Sequence, residues 1–133
     1  MTLQVQVVSP ERVLWSGEAE MVTTRVLEGG DITFLTGHVP YLGALDIARL
    51  VIRPEGADDI EFAVHGGFVE VSHDKVSVLS DIAEVPDDID VARARAALER
   101  AKAAQAADAS DREAAHAVKR ANVRLAVAGG ADA

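Results

Sequence analysis

The chain has 133 residues, no cysteine, a formal charge of −9, and 49% hydrophobic against 26% charged residues. That balance predicts a folded protein rather than a disordered one, and it excludes disulfides, thiolate metal sites and a cysteine nucleophile. Its acidity argues against nucleic acid as a partner, no apolar run approaches the ~20 residues of a membrane helix, and the strand-like start Met1 to Val8 has no basic leader, so an intracellular protein is expected.

Aromatic residues make up only 4% of the chain, so the core has to be built from Val, Ile, Leu and Ala. Leu3, Val5 and Val7 alternate with Gln4 and Gln6, the period-2 pattern of a half-buried strand, and Ser9-Pro10 breaks it. Arg12 to Trp15 reads as a short strand closed by Ser16-Gly17. Glu18 to Val26 reads as another, with Ala19, Met21, Thr23 and Arg25 on one side. Glu28 to Asp31 is a glycine turn, Ile32 to Leu35 a brief strand, and Thr36 to Pro40 a second turn. Leu42 to Leu45 and Ile47 to Arg53 are further apolar pieces, joined through the loop Pro54 to Asp59 to the alternating Ile60, Phe62 and Val64. His65-Gly66-Gly67 turns into Phe68 to Val71, and Asp74-Lys75 turns into Val76 to Leu79. Eight to ten short strands with turns at short intervals predict a β-sandwich or flattened barrel over residues 1–86.

The pattern changes at Pro86, a residue suited to the mouth of a helix. Residues 1–86 hold 14 acidic and 5 basic side chains, whereas residues 87–133 hold 8 of each. Asp87 and Asp88 are placed to cap a first turn, with Asp90 at the positive end of the dipole. The helix, from Ile89 or Val91 to about Ala107, has a narrow seam of Val91, Ala94, Leu98 and Ala101. A turn at Ala106 to Ser110 leads to Ser110-Asp-Arg-Glu113, which fits a capping box. The second helix aligns Ala114, Val118, Ala121 and Leu125, and Gly129-Gly130 stops it. Alanine seams bury little area, so the predicted two-helix hairpin over 87–133 holds to its neighbours weakly.

On the first helix, Ile89, Asp90, Arg93 and Arg100 fall within one face at spacings of 3, 4 and 7. His116, Arg120 and Arg124 follow one another at i,i+4 on the second. Two readings stand side by side: a solvated, self-paired surface, or an anion or nucleotide site in which guanidinium forks face phosphate. The late bases Arg112, Lys119, Arg120 and Arg124 are also placed to rest on the acidic sheet domain or on another acidic surface. His65 and His73 are read as structural.

In order and spacing, Val7-Val-Ser-Pro10, Ser16-Gly17, Gly37-His-x-Pro40, Gly66-Gly-Phe-x-Glu-Val71, Val76-Ser-Val-Leu79 and Ile89-Asp-x-x-Arg-Ala94 resemble the epsilon subunit of F-type ATP synthases over nearly the full chain. The resemblance implies an N-terminal β-sandwich followed by a C-terminal antiparallel helical hairpin. It implies a non-catalytic rotor subunit of a proton-translocating synthase, peripheral on the cytoplasmic face of the cell membrane. The sandwich would join the gamma subunit and the c-subunit ring, and the hairpin would rest folded or extend to the alpha/beta catalytic ring and restrain hydrolysis. No cofactor is required. Some members bind regulatory ATP, with Mg, through the Ile-Asp-x-x-Arg-Ala motif, which carries over to Ile89, Asp90, Arg93 and Ala94, with Glu84 upstream and Arg100 downstream. Lys119-Arg-Ala-x-x-Arg-Leu125 carries over Arg120 and Arg124. Where the family pattern has a further arginine this chain has Glu113, so weak binding is expected. Asp31 matches an acid that meets the ring, and His38 lies in the loop near gamma, with Phe34 and Thr36 in place of a common glycine and proline.

The alternative from spacing alone is a free-standing sandwich with a nucleotide-sensing hairpin. An enzyme would need a nucleophile with its base, a metal cluster or a phosphate loop, and the sequence holds no such motif.

Overall fold

The computed structural model describes residues 1–129. Ten strands come first: β1 (Leu3–Val8), β2 (Val13–Ala19), β3 (Met21–Val26), β4 (Gly30–Leu35), β5 (Tyr41–Ala44), β6 (Ile47–Arg53), β7 (Ile60–His65), β8 (Phe68–Ser72), β9 (Lys75–Leu79) and β10 (Ala83–Glu84). A 3-10 turn at Pro86–Asp88 leads to two helices, α1 (Val91–Ala107) and α2 (Arg112–Val127). The strands form two five-stranded sheets, β2-β1-β9-β8-β5 and β10-β7-β6-β3-β4. Their inner faces share one core, so the β-sandwich followed by a helical hairpin is the fold found.

Alternation decides which side chains enter that core. Leu3, Val5 and Val7 of β1 are fully buried, as are Val76 and Val78 of its parallel neighbour β9. Leu50 and Ile52 of β6 and Phe34 of β4 close the core from the other sheet. Each large apolar side chain removed from water contributes about 1.5–3 kcal/mol.

Two details differ from the sequence reading. Ser16-Gly17 does not end a strand; β2 runs through it to Ala19, and Gly17 makes room for the Trp15 indole, whose ring a Cβ there would meet at 2.9 Å. Glu18 to Val26 is not one strand either. The chain changes sheets at Glu20, which resets the alternation, so Val22, Thr24 and Val26 face inward while Arg25 is exposed. The Gly66-Gly67 turn lets the backbone approach β9 closely: Gly67 has φ +115°, and a Cβ there would fall 2.0 Å from the Leu79 carbonyl oxygen.

Helix α1 starts at Val91, the later of the two predicted starts, but the helix caps differ from those expected. Asp87 and Asp88 lie in the 3-10 turn and make no side-chain cap. Ile89 precedes α1, and Asp90 is its N-cap, accepting from the Arg93 backbone N–H at 3.0 Å. Likewise Asp111, not Ser110, caps α2 by accepting from Ala114 N–H at 3.0 Å, while the Ser110 hydroxyl donates back to Asp108. A carboxylate is the stronger acceptor where the helix dipole is positive, and it displaces the expected serine. Gly129 follows α2 with φ +96°; Gly130, the second half of the predicted stop, lies outside the described residues.

Ala94 and Leu98 of α1 pack on Ala121 and Leu125 of α2, the seam read from the sequence. The outer face of β6 and β7 then receives α2 through a small cluster of Ala63, Ile89, Val123 and Val127, with Ile47 beside it. The hairpin is therefore docked on the sandwich, and that placement creates the cleft described next.

Candidate functional site

The cleft lies where β10 hands the chain to α1 beneath α2. Glu84, Asp88, Ile89, Asp90, Arg93, Ala94, Ala97, Arg100 and Arg124 surround a cavity of about 290 Å³. Seven of the sequence-predicted residues are thus brought together. The eighth, Arg120, lines an adjoining groove of about 400 Å³ between the helices, which also includes Arg100, Arg124, Asp111 and Glu113. His116, stacked with the arginines by spacing, is exposed and lines neither.

Each charged group has a distinct setting. Arg124 donates from Nε to Glu84 Oε1 at 2.7 Å, and the same oxygen accepts from His65 Nε2 at 2.9 Å. Burial alone would raise the Glu84 carboxyl, but the hydrogen bonds from Arg124 and His65 outweigh it and hold that group below its ordinary value. Arg120 is engaged by Glu113 at 2.6 Å. Among the described residues, Arg93 and Arg100 have no carboxylate within ion-pair distance, which leaves both guanidiniums open toward the cavity. Asp90 is partly committed, since Oδ1 serves the helix cap. Ile89 and Ala94 contribute apolar wall, being 9% and 4% exposed. This donor set fits a nucleotide: guanidinium forks for phosphate oxygens, carboxylates for amino or hydroxyl donors, and an aliphatic wall for a base.

The two remaining candidates lie elsewhere. Asp31, on β4, pairs at 2.8 Å with Arg25 directly opposite it on β3 and is exposed. The His38 ring contacts the Val39 carbonyl oxygen at 2.7 Å through Nδ1 and stands edge-on to Phe34 at 4.9 Å. Neither lines the cleft; Asp31 lines a separate groove between the sheet and α2.

Sequence reasoning left two contacts unnamed. His65, read as structural, has a side chain 3% exposed and is joined to Glu84 at the hairpin dock. Lys119 of α2 donates to Asp46 at 2.8 Å across a separation of 73 residues. The Lys119 hydrogen bond and the Ile47 N–H outweigh burial and hold the Asp46 carboxyl below its ordinary value. Nothing in local spacing points to a pair so far apart. The charge asymmetry between the two halves was the available signal, and Lys119 and Arg124 do rest on the acidic sandwich.

Fold and cleft together define a two-part protein, a β-sandwich platform with a helical hairpin clasped to it by ion pairs. Residues 2–86 match the family model for the beta-sandwich domain of the ATP synthase delta/epsilon chain. The ATP synthase epsilon chain of Brevibacillus brevis is 49% identical over 100 residues, 75% of either chain, and that of Streptomyces griseus is 46% identical over 123 residues, 92% of either chain. The chain belongs to the ATP synthase epsilon chain family. Its fold also matches, at TM-score 0.74 and 20% identity, a chain of the mitochondrial ATP synthase of Euglena gracilis solved as an OSCP/F1/c-ring assembly, covering 98% of this chain and 79% of that one.

Proposed function

We propose that this chain is a non-catalytic rotor subunit in the central stalk of a proton-translocating F-type ATP synthase, and that its hairpin regulates hydrolysis. In this reading the sandwich couples gamma to the c-subunit ring, through surfaces that include Asp31 and the loop of His38. The subunit is peripheral on the cytoplasmic face of the membrane through the complex. No described helix is long and apolar enough to cross a membrane, in keeping with that placement.

The observation that carries the regulatory part is the inequality of the two interfaces. The sandwich core is one cluster of sixteen buried residues, among them Phe34, Phe62, Leu3 and Leu50. The hairpin is docked by four buried residues, one of them alanine, and by the Lys119–Asp46 and Arg124–Glu84 pairs. Such a dock can open while the sandwich stays folded. Released, helices of 17 and 16 residues end to end would span about 50 Å, enough to reach from the base of a rotor toward a catalytic ring.

ATP, carrying Mg on its phosphates, would occupy the arginine-lined cleft. Arg93, Arg100, Arg124 and Arg120 would meet phosphate, and Glu84 with the uncommitted oxygen of Asp90 would accept from base or ribose. Because the cleft is formed from α1, α2 and β10 together, ATP would favour the docked hairpin by its higher affinity for that state.

The deciding experiment deletes residues 88–133 in the assembled complex and measures hydrolysis, with cross-linking of the hairpin to beta in the presence and absence of ATP. Raised hydrolysis with coupling intact, and cross-linking suppressed by ATP, are the expected results. Unchanged hydrolysis and no cross-link under either condition would reduce the hairpin to an appendage.

A further inference from the structure

We propose that His65, Glu84 and Arg124 form a proton-sensitive clasp: the hairpin stays docked while the imidazole is neutral, and protonation of His65 releases it. The proposal rests on the mobile hairpin of the preceding section, but not on what occupies the cleft.

His65 ends β7 on the face of the sheet that α2 covers, and its side chain is 3% exposed. Its Nε2–H donates to Glu84, since an ionised carboxylate can only accept. That fixes the neutral tautomer and leaves Nδ1 as a bare lone pair, buried and without a hydrogen-bond partner among the described residues. A proton added there creates an N–H with nothing to donate to, which a buried site tolerates poorly. It also creates a cation facing Arg124 and Arg120 of α2. From β10 the facing charge is Glu84, already neutralised by Arg124, and across the ladder on β6 the neighbour is the uncharged Ile47. Lifting α2 removes both guanidiniums and admits water to Nδ1, so the undocked form binds the proton better.

The sign follows from the same contacts. Burial, chiefly, pushes the docked imidazole below its ordinary value of 6.5; the Glu84 hydrogen bond opposes this, and Arg124 and Arg120 add to it. A group depressed in the docked state stabilises docking fully above its undocked value and loses that contribution as pH falls toward the docked one. The docked-to-undocked ratio therefore declines by up to about tenfold per pH unit below 6.5. Glu84 and Asp46, both held below their ordinary carboxylate values, remain ionised across this window.

The test uses the full chain, which has no cysteine of its own. Ala63, 0% exposed beneath α2, becomes the sole thiol as Ala63→Cys. Its labelling rate, divided by that of a thiol peptide at the same pH, reads even rare opening of the dock. Ala19→Cys, 0% exposed in the sandwich, reads global unfolding. Between pH 7.5 and 5.5 the normalised rate at Ala63→Cys should rise severalfold to about tenfold, the rate at Ala19→Cys should stay flat, and His65→Gln, which still donates to Glu84 but cannot be charged, should abolish the rise. Labelling at Ala63→Cys faster than at Ala19→Cys but independent of pH, or a rise that persists in His65→Gln, overturns the clasp alone. Labelling no faster than at Ala19→Cys at every pH overturns the clasp and the mobile hairpin together.

Discussion

Glu84 Oε1 accepts the Arg124 Nε–H at 2.7 Å across 40 residues of chain, tying the last strand of the sandwich to the last turns of the hairpin. The side chains are 24% and 29% exposed, so the pair is neither a freely screened surface contact nor a fully desolvated one. A double-mutant cycle of Glu84→Gln and Arg124→Gln, followed by helical circular dichroism in urea, is expected to give a coupling of about 1 kcal/mol, smaller at high salt. Strict additivity would mean that the contact does not hold the hairpin.

The sandwich should not need the hairpin. Its sixteen core residues all lie between Leu3 and Val78, and the surface that the helices cover on the outer face of the sheet, at Ala63, Ile47 and His65, is not part of that core. Residues 1–86 alone are expected to unfold cooperatively and to retain dispersed amide resonances. A collapsed spectrum would show that the dock contributes to the fold itself.

Two glycine replacements separate backbone strain from steric exclusion. Gly56 has φ +73° with open space around it, and Gly56→Ala should cost about 1–2 kcal/mol. Gly67 has φ +115°, and its added Cβ would meet the Leu79 carbonyl oxygen. Gly67→Ala should therefore cost 3 kcal/mol or more, roughly, and lower the melting temperature far further. Equal losses in the two variants would contradict the close approach of the Gly66-Gly67 turn to β9.

How much was legible beforehand depends on range. The alternation of Leu3, Val5 and Val7, the turns at Gly37 and at Gly66-Gly67, and the seam of Ala94, Leu98, Ala121 and Leu125 are local patterns, and each appears in the structure where the sequence placed it. The corner at Glu20 was missed because β2 and β3 adjoin without a glycine or proline between them. The strand β10 is two residues long, too short to carry a period. Of the cleft, helix spacing and the family resemblance together named seven lining residues, Glu84 and Ala94 by resemblance alone, but neither showed that Glu113 engages Arg120 or that His65 shares Glu84 with Arg124. The first is a pair at i,i+7 within α2, beyond the i,i+3 and i,i+4 neighbours that spacing rules name; the second is a contact between elements, set by how α2 lies on the sheet.

The N-cap assignment is open to direct check. Asp111 accepts the Ala114 N–H, whereas Ser110 bonds only backward to Asp108. Asp111→Ala should destabilise the hairpin by about 1 kcal/mol and Ser110→Ala by a few tenths, read from helical signal against urea. The reverse order would restore the serine-led capping box.

Glu113 offers the sharpest handle on the cleft. It stands in the groove beside Arg120, its carboxylate 2.6 Å from a guanidinium nitrogen, and it is 76% exposed where Arg120 is 29% exposed. A phosphate chain entering the groove has to displace that carboxylate and also meets its charge. Glu113→Gln removes both penalties while keeping the shape of the side chain. Since the carboxylate is well solvated, the gain is modest: about 1 kcal/mol, a severalfold tighter ATP affinity by calorimetry. Arg93→Ala, which deletes an open guanidinium, should weaken binding by about 1.5–3 kcal/mol. The gain from Glu113→Gln should shrink in an Arg120→Ala background, because displacement from Arg120 no longer contributes and only the direct repulsion of phosphate remains. An undiminished gain there would place the phosphates away from Arg120, and parent affinity in both Glu113→Gln and Arg93→Ala would remove nucleotide from this cleft.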